Sequence, residues 1–348
     1  MSAPTRLALS VIVVTYNERA QVEMSLPPLV EQLTEGDELI VADNGSTDET
    51  VETVRRLAPA ATVIEMRSND GYMTACNAAA ARATGDLLLT LDADAVVQPG
   101  FCDAIRLPAL DGRGWAAWMG LVTMDGGRLI NTSGGVVHFT GISWAGQVGQ
   151  PARATTEPRE VGFVTGVCLT TPRAVWEEHG GLPPEYFLYF DDVDYSLRVR
   201  LTGGRIGIEP SARVDHVYAF ARSDLKWRLL ERNRWSTIVR TYPGELLLLL
   251  APALLATELA LFGVAWQAGW AREKALATSD TARALPRLLR ERREIQRRRS
   301  VSALEFARHM TPDLSSPYLG RASELRWLRV LLRGYWRLVR LVLATREA

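Results

Sequence analysis

Cysteine is scarce in this chain of 348 residues, and Cys76, Cys102 and Cys168 have no spacing typical of metal ligands. Their odd number argues against a disulfide framework, so we expect small buried side chains in a reducing compartment. The first ten residues lack the basic start and long apolar core of a signal peptide, which predicts that the N-terminal domain stays in the cytosol. The sequence also lacks internal repeats.

Net charge is also absent, with 40 Lys and Arg against 40 Asp and Glu, but the two signs are unevenly distributed. Residues 272–348 contain 18 basic and 8 acidic side chains, whereas residues 1–271 contain 22 and 32. With 47% hydrophobic residues, the chain can bury a full core. The composition therefore predicts an acidic globular domain followed by a basic, apolar tail.

Strand and helix patterns alternate over the first hundred residues. Apolar runs predict strands at residues 7–15, 38–42, 62–66 and 87–91, and helical stretches cover residues 18–33 and 72–83. Such alternation is typical of an α/β fold with a mostly parallel central sheet flanked by helices. Residues 115–150, rich in Gly, Thr, Ser and β-forming residues, are predicted to add antiparallel strands.

Two carboxylates, one residue apart, end the fourth predicted strand in the sequence LLLTLDAD at residues 87–94. Side chains two apart on an extended segment face the same way, so Asp92 and Asp94 can together bind a divalent cation carrying substrate phosphates. Open α/β sheets bind ligands at this end of their strands. The pair alone is a weak signal, because Asp also favours turns and residues 192–194 repeat the pattern.

Several further motifs accompany this pair along the chain. They are TYNE at 15–18, ADNGSTD at 42–48, NDGY at 69–72 followed by Asn77, GD at 85–86, GFVTG at 162–166, GGLP at 180–183, YFDDVDYSLR at 189–198, and His216. In this order they resemble glycosyltransferase family 2, the nucleotide-sugar enzymes of the GT-A fold. The resemblance covers about residues 8–240. It is closest to bacterial rhamnosyl- and galactofuranosyltransferases that act on lipid-linked cell-wall or surface polysaccharide acceptors.

The resemblance implies a role for each matching residue. The donor nucleotide is expected to contact Thr15, Tyr16, Asn17, Glu18, Asp43, Asn69, Gly71, Asn77, Asp92 and Ala93. Asp43 would accept a hydrogen bond from a pyrimidine imide, and Asp92 would lie near the ribose. Asp94 and His216 would bind the cofactor, a divalent metal ion, Mn²⁺ or Mg²⁺, and a neutral imidazole suits Mn²⁺ better.

The catalytic base is expected among residues 191–194. Direct displacement at the anomeric carbon needs one carboxylate within reach of the acceptor hydroxyl. By family position Asp192 is the base, Asp191 is the alternative and Asp194 orients them. Each could also serve only as a helix cap, or, for Asp194, as a helix partner of Arg198. Two adjacent carboxylates should raise one pKa, which suits proton acceptance near neutral pH.

An apolar stretch follows Tyr242, with Glu258 as its only charge. At about 22 to 25 residues it is long enough to span a bilayer. Basic residues on both sides favour cytosolic ends, and hence a re-entrant or in-plane segment kinked at Pro252; a spanning helix and a buried core helix are the alternatives. The predicted domains are a glycosyltransferase domain at 1–242, a membrane-associated segment at 243–271 and a basic amphipathic helical tail at 272–348.

The tail shows two stripes at helical spacing. Arg326, Arg329, Arg333, Arg337 and Arg340 form one, and Leu328, Leu332, Tyr335, Val339 and Val342 form the other. The pattern predicts a helix on an anionic membrane surface, with Trp327 and Trp336 at headgroup depth. The apolar stripe favours lipid over nucleic acid, so we expect no nucleic-acid partner.

These expectations describe a metal-dependent inverting glycosyltransferase in cell-envelope polysaccharide synthesis. It would move a sugar from a UDP or dTDP sugar to a lipid-linked saccharide acceptor at the cytoplasmic face of the plasma (inner) membrane. One alternative is a membrane-bound scaffold that binds a sugar nucleotide without turnover. The other is a sugar-phosphate nucleotidyltransferase, which needs a Gly-rich loop after the first strand, where residues 15–19 contain no glycine.

Overall fold

The computed structural model describes residues 6–216, 224–315 and 325–347. They fall into two compact units. The first comprises the described residues up to 134, together with 145–199 and 204–216. The second comprises 135–144, 200–203 and the described residues from 224 onward. The helix at Asp224–Thr241, assigned to the first domain from sequence, lies in the second unit.

The strands of the described chain belong to two sheets. They are β1 (Leu9–Thr15), β2 (Glu38–Asp43), β3 (Thr62–Glu65), β4 (Leu87–Asp92), β5 (Ala95–Val97), β6 (Trp115–Met124), β7 (Leu129–Thr132), β8 (Gly135–His138), β9 (Ser143–Ala145), β10 (Arg159–Glu160), β11 (Cys168–Pro172), β12 (Arg205–His216) and β13 (Met310–Thr311). The large sheet has the order β10-β12-β6-β11-β4-β1-β2-β3, with β5 beside β12 and β7 beside β6. The small sheet has the order β13-β8-β9.

Helices follow most of the strands. They are α1 (Arg19–Val30), α2 (Thr50–Leu57), α3 (Tyr72–Ala80), α4 (Phe101–Ala104), α5 (Leu107–Leu110), α6 (Arg173–His179), α7 (Asp191–Leu201), α8 (Asp224–Thr241), α9 (Gly244–Ala268), α10 (Ala271–Arg297), α11 (Ala303–Phe306) and α12 (Arg326–Glu347). Short 3₁₀ turns lie at Ala152–Ala154, Pro184–Tyr186 and Ala307–His309.

The predicted alternation of strands and helices is confirmed in the first unit. Strands β3, β2, β1 and β4 are parallel neighbours, and all seven residues of β1 are buried because helices cover both faces of the sheet. Beyond β4 the sheet becomes mixed, since β11 runs antiparallel to both β4 and β6 while β12 is parallel to β6. The predicted antiparallel strands of residues 115–150 include β6 and β7, which pair with each other. The three cysteines are buried, as expected, and are not joined in a disulfide.

Helix α9, in the second unit, is long and apolar enough to cross a membrane by length and composition. It is not a buried core helix, because Leu248, Leu255, Leu259 and Trp266 are exposed, Trp266 to 80%. These side chains recur at spacings of seven, four and seven, which places them on one face of the helix. An uncharged apolar face of α9 therefore points away from the protein.

Glu258, at the middle of α9, is held by two buried cations. Its Oε1 accepts a hydrogen bond from Lys274 Nζ of α10 at 2.5 Å, and its Oε2 accepts from Arg234 Nη2 of α8 at 2.8 Å. Trp235 Nε1 also donates to Oε2, at 2.9 Å. Because breaking a buried ion pair leaves an uncompensated charge, this cluster fixes the middle of α9 against α8 and α10.

Helix α12 corrects the predicted assignment of its faces. The stripe expected to face lipid is half-buried or buried, since Tyr335 donates a hydrogen bond to the carbonyl of Leu249 and Trp336 stacks on Phe139 at 5.0 Å. The placement of Trp336 at headgroup depth is wrong, because only 4% of this residue is exposed. The exposed apolar side chains form a different stripe, consisting of Trp327, Val330, Leu331, Leu338 and Leu341, beside the exposed arginines.

Candidate active site

The carboxyl ends of three neighbouring strands bring the first group of predicted residues together. In the register of the sheet, Thr15 at the end of β1 pairs with Asp43 at the end of β2. On the other side of β1, Val14 pairs with Asp92 at the end of β4. Because these parallel strands end at the same level, the turns that follow them lie at one edge of the sheet, as the sequence predicted.

His216 reaches the same edge from the far end of the sheet. Strand β5, which follows the acidic pair, runs antiparallel to β12, and its Ala95 pairs with His216. This register places His216 Nε2 3.0 Å from Asp94 Oδ1 and 3.8 Å from Asp92 Oδ2. The pairing of β5 with β12 thus brings together residues that are more than a hundred positions apart in the chain.

Burial and neighbouring charges shift the pKa values of Asp92 and His216. Burial raises the pKa of Asp92 to about 6, with the charge of Asp94 adding to the increase and His216 opposing it. Burial lowers the pKa of His216, but its hydrogen bond with Asp94 and the charge of Asp92 outweigh this, so the pKa lies above its ordinary value. The group thus gathers negative charge in a partly desolvated place.

These three side chains fit the divalent metal ion that the resemblance implies. Asp92, Asp94 and His216 each offer one ligand atom, and these atoms lie within 4.8 Å of one another. Carboxylate oxygens suit Mg²⁺ and Mn²⁺ alike, whereas an imidazole nitrogen favours Mn²⁺. A bound cation would also relieve the repulsion between the two carboxylates.

Asp43 is buried and organises the turn after β2. Its Oδ1 accepts hydrogen bonds from Thr15 Oγ1 at 2.9 Å and Ser46 Oγ at 2.5 Å. Its Oδ2 accepts from the backbone N–H groups of Gly45 at 3.2 Å and Ser46 at 2.9 Å. Since a carboxylate has about four acceptor positions, a base imide would have to replace one of these donors. The Ser46 hydroxyl can rotate away, so the predicted role of Asp43 requires that change.

The turn after β1 is tied to the turn after β2. Asn17, with a left-handed φ of 55°, accepts a hydrogen bond from Thr47 N at 2.8 Å and donates its own N–H to Ser46 Oγ at 2.8 Å. Tyr16 is exposed, and Glu18 N donates to Thr50 Oγ1 at 2.9 Å. The predicted nucleotide-binding residues 15–18 therefore form one braced wall of the site.

Within this wall, the carboxyl group of Glu18 has a shifted pKa. Burial raises its pKa to about 7, and the charges of Asp92 and Asp94 add to the increase, while the N–H of Tyr16 opposes it. The side chain thus lies close enough to the acidic pair to feel its charge. Sequence reasoning placed Glu18 among the donor contacts but did not indicate its proximity to the metal ligands.

Asp191 and Asp192 begin α7 and differ in their surroundings. Asp192 is partly exposed, and its two oxygens accept backbone N–H groups from Gly166 at 3.1 Å and Val193 at 2.7 Å. Asp191 is buried, and burial together with the charge of Asp192 raises its pKa well above the ordinary value. Burial also raises the pKa of Asp192, but the two N–H donors oppose this. Of the two, Asp192 has the accessible and better stabilised carboxylate.

Asp194 is fully buried and serves the fold of α7. Its carboxylate accepts hydrogen bonds from Arg198 Nε at 2.7 Å and from Tyr186 OH at 3.2 Å. Arg198 in turn donates to the carbonyl of Gly181 at 2.6 Å. The pairing of Asp194 with Arg198, one of the interpretations left open by the sequence, is present in the structure. Asp194 thereby orients the helix that carries the two adjacent carboxylates.

The loop before α7 is held in an unusual backbone conformation. Phe187, Tyr189 and Phe190 have φ values of 66°, 69° and 69°, a region that residues with a side chain rarely adopt. Phe187 is fixed by a hydrogen bond from Tyr72 N to its carbonyl at 2.8 Å. Gly71, with φ 94°, allows this contact, since a Cβ there would lie 2.7 Å from the carbonyl oxygen of Phe187.

Asn69 and Asn77 also hold loops rather than pointing openly into the site. Asn69 Oδ1 accepts hydrogen bonds from Asn44 Nδ2 at 3.1 Å and from Gly71 N at 3.2 Å. The side-chain amide of Asn77 bonds both the N–H and the carbonyl of Leu182, at 2.9 and 2.8 Å. Ala93 contributes its carbonyl to Ser25 Oγ at 2.6 Å. The predicted contacts of these residues with the donor nucleotide would have to be made by atoms that do not take part in these hydrogen bonds.

Gly71→Ala tests whether this packing supports the site. We expect kcat/KM to fall at least about tenfold, because the new Cβ displaces Phe187 and with it the start of α7. Activity and thermal unfolding would both be measured. The matched control is Gly36→Ala, which has a similar φ of 90° but nothing within 4 Å of its Cβ. An equal loss of activity in both variants would show that backbone strain, and not the contact with Phe187, is responsible.

Two functional features were missed by sequence reasoning. The backbone N–H of Gly166, which binds Asp192, is invisible in a sequence, although the GFVTG motif marks the segment. Tyr72 lies near Asp92 and Asp191; burial raises the pKa of its hydroxyl well above the ordinary value, as do those charges. Its position at the start of α3, one residue after Gly71, was the available signal.

The chain is similar to known glycosyltransferases. Residues 10–176 match the sequence profile described as "Glycosyl transferase family 2". The chain is 28% identical over 232 residues to an N-acetylglucosaminyl-diphospho-decaprenol L-rhamnosyltransferase of Mycobacterium tuberculosis, covering 60% of this chain and 75% of that protein. It is 25% identical over 206 residues to a poly-beta-1,6-N-acetyl-D-glucosamine synthase of Staphylococcus aureus, covering 59% and 48%.

Solved structures share the fold. GalNAc-T7 with UDP, GalNAc and Mn²⁺ superposes with a TM-score of 0.58 at 17% identity, over 70% of this chain and about half, 49%, of that one. The mannosyltransferase PcManGT from Pyrobaculum calidifontis, in complex with GDP-Man and Mn²⁺, gives 0.50 at 23% identity over 87% of both chains. These likenesses confirm the GT-A fold predicted from the sequence. Fold, motifs and relatives agree that residues 10–176 form a glycosyltransferase family 2 domain and that the protein is a glycosyltransferase.

Proposed function

We propose that this protein transfers a sugar, with inversion, from a UDP or dTDP sugar to a lipid-linked saccharide in cell-envelope polysaccharide synthesis. The observation that carries the proposal is the group Asp92, Asp94 and His216, which could hold a metal ion and lies near enough to Asp192 for the charge of Asp92 to raise the pKa of Asp192. The named activity of the mycobacterial relative supports a lipid-linked acceptor.

In this proposal Asp192 is the base. Its carboxylate takes the proton of the acceptor hydroxyl while that oxygen forms a bond to the anomeric carbon, and the bond from that carbon to the diphosphate breaks. Because attack and departure are on opposite faces, one displacement inverts the configuration. The N–H groups of Gly166 and Val193 hold the carboxylate ionised and oriented before the transfer.

Asp92, Asp94 and His216 would hold the metal ion, which, when bound, neutralises the charge of the departing diphosphate. Glu18 and the braced wall of residues 15–18 face the same edge and would limit the space for the nucleotide. Burial and the charge of Asp192 raise the pKa of Asp191, which favours a protonated carboxyl beside the base.

A direct test is release of nucleoside diphosphate from sugar nucleotides by purified protein with Mn²⁺. We expect slow, metal-dependent hydrolysis of one pyrimidine nucleotide sugar even without acceptor, and faster release with a lipid-linked saccharide. A scaffold that only binds the nucleotide predicts binding without any release. A nucleotidyltransferase predicts pyrophosphate from a nucleoside triphosphate and a sugar phosphate, which separates the three functions by product.

The rate of transfer should depend on pH through the pair Asp191 and Asp192. A base whose pKa is raised is active only when deprotonated, so activity is lost as pH falls through the raised value. We therefore expect the acid limb of kcat to lie above pH 4, the range of an ordinary Asp. Measuring kcat across pH with saturating metal checks this. An acid limb at or below pH 4 would show that Asp192 is not shifted during catalysis.

We also propose that the second unit attaches the enzyme to the cytoplasmic face of the plasma membrane without crossing it. The exposed apolar face of α9 and the exposed stripe of α12 provide the lipid contact. Glu258, at the centre of α9, is tied to Arg234 of α8 and Lys274 of α10. A spanning α9 would carry these charged helices into the hydrocarbon, which is costly, so an in-plane orientation is favoured.

Substitution of Trp327 tests the corrected lipid-facing stripe. We expect Trp327→Ser to weaken binding to phosphatidylglycerol vesicles about tenfold, since about 1.5 kcal/mol of apolar burial is lost. Co-sedimentation with vesicles would measure this. Leu110→Ser removes an exposed leucine of the first unit and should leave binding unchanged. If Trp336→Ser, at a buried position, weakens binding more than Trp327→Ser without unfolding the protein, the assignment of faces is wrong.

A further inference from the structure

The second unit contains an open cavity of about 490 Å³ beside the N-terminus of α9. Its lining residues are Gly244, Glu245, Arg292, Arg293, Gln296 and Arg299. Three guanidinium groups therefore face one carboxylate. The cavity lies in the second unit, whereas the proposed catalytic and metal-binding residues lie in the first unit.

Two of the three arginines are held in place by groups near the end of α8 and the start of α9. Arg292 Nη1 donates to the carbonyls of Val239 and Tyr242 at 2.7 and 2.6 Å, and Arg299 Nη1 lies 2.8 Å from Glu245 Oε1. Burial lowers the pKa of Arg292, and the like charge of Arg299 does the same, against the opposing effect of Glu245. Two fixed cations with one shared counter-charge favour the entry of an anion.

The start of α9 adds to this preference. Pro243 at the N-cap provides no side-chain hydrogen bond to the first turn of this 25-residue helix. Gly244, the first residue, leaves space beside Arg292, whose Nη2 lies 3.7 Å from the position of an added Cβ. N–H groups of a helix start and the positive end of the helix dipole are suited to phosphate.

The exposed side chains beside the cavity indicate which kind of molecule carries the anionic group. Leu248, 75% exposed, lies one turn after Gly244, and Leu255 and Leu259 continue the apolar face along α9. A ligand that satisfies both features has a phosphate head and an apolar chain. We propose that this cavity binds the phosphate group of a lipid, with the lipid chain lying along the exposed face of α9.

Two sources could supply such a head group: the diphosphate of the lipid carrier on which the acceptor is built, or a phospholipid of the bilayer. The first rests on the proposed function and the second does not. Arginine forks bind phosphate oxygens in pairs in either case, so the cavity chemistry is shared. The experiment must therefore separate the head group from the chain, and one lipid from the other.

The test measures binding of farnesyl diphosphate to the full chain in neutral detergent by calorimetry, with EDTA present so that the acidic site cannot bind it through metal. We expect saturable binding at least tenfold tighter than that of inorganic pyrophosphate or farnesol. Arg293→Glu should weaken it at least tenfold. Arg290→Glu, an equal charge change on the same helix outside the cavity, should not. Gly244→Leu, which fills the cavity without changing charge, should act like Arg293→Glu.

Competition distinguishes the two sources. Short-chain phosphatidylglycerol that displaces farnesyl diphosphate with similar affinity identifies a bilayer phospholipid site, and failure to displace it identifies a carrier diphosphate site; both support the proposal. Equal affinity for pyrophosphate, or equal weakening by Arg290→Glu and Arg293→Glu, overturns it. Binding of UDP and dTDP with Mn²⁺ is measured on the same variants, so a failed donor site is recognised separately.

Discussion

Asp192→Asn is expected to reduce transfer by about 10²- to 10⁴-fold while leaving donor binding intact. Asparagine keeps the size of the side chain and one acceptor oxygen, so it can accept a hydrogen bond from Gly166 N or from Val193 N but not from both, and it cannot take a proton. The loss should therefore appear in kcat, with little change in KM for the sugar nucleotide. Initial rates of nucleoside diphosphate release with an acceptor give both parameters.

Asp191→Asn is the matched variant for this measurement. It changes the neighbouring carboxyl, whose pKa is raised by burial and by the charge of Asp192, so a neutral amide at this position should be tolerated. We expect activity within about tenfold of wild type. Because Asp191 already favours its neutral form, the acid limb of kcat should stay close to its wild-type position. If Asp191→Asn is inactive and Asp192→Asn is active, the base has been assigned to the wrong residue.

Asp94→Asn is expected to abolish metal-dependent donor binding. The structure places Asp94 Oδ1 3.0 Å from His216 Nε2, so this oxygen is central to the ligand group. Thermal unfolding would be followed with UDP, dTDP, GDP and CMP, each with and without Mn²⁺. At a hundredfold excess over the dissociation constant, a bound nucleotide stabilises the fold by about 2.7 kcal/mol. Wild type should show this for one pyrimidine diphosphate only when metal is present.

The control for this prediction lies at the other end of the same strand. Asp86 precedes β4, is exposed and accepts a hydrogen bond from Ala8 N, so Asp86→Asn removes a carboxylate away from the site. It should keep the metal-dependent shift. A nucleotide shift that persists in Asp94→Asn would remove this residue from the metal site, and no shift with any nucleotide in wild type would favour the scaffold function.

Much of the fold could be predicted from periodicity, because the four parallel strands are apolar runs separated by helical patterns. The positions of Thr15, Asp43 and Asp92 at one edge followed from where those runs end. The contact of His216 with Asp94 did not follow from spacing, since it depends on the pairing of β5 with β12. It was reached through the family resemblance, and its geometry required the structure.

The tail shows where pattern alone is insufficient. A helix with two apolar stripes can bury either of them, and the sequence does not state which one packs on the protein. Trp336 and Tyr335 pack because Phe139 and the carbonyl of Leu249 are available to them. The hydrogen bonds that Asn77 and Asp43 make with backbone groups could not be predicted either, because every residue offers the same backbone groups.

The register of β12 against β5 also determines which side chain lies beside Asp92 and Asp94. Adjacent residues of a strand point to opposite faces, so a slip by one position would present Asp215 where His216 now lies. Asp215 is restrained from this by Thr123 Oγ1 and Gly127 N, both at 3.1 Å. Three carboxylates would form an all-oxygen site suited to Mg²⁺ or Ca²⁺, whereas the native register supplies a nitrogen. In the proposed metal site, Thr123 and Gly127 would thus influence the choice of metal ion by holding Asp215 away from the position of His216.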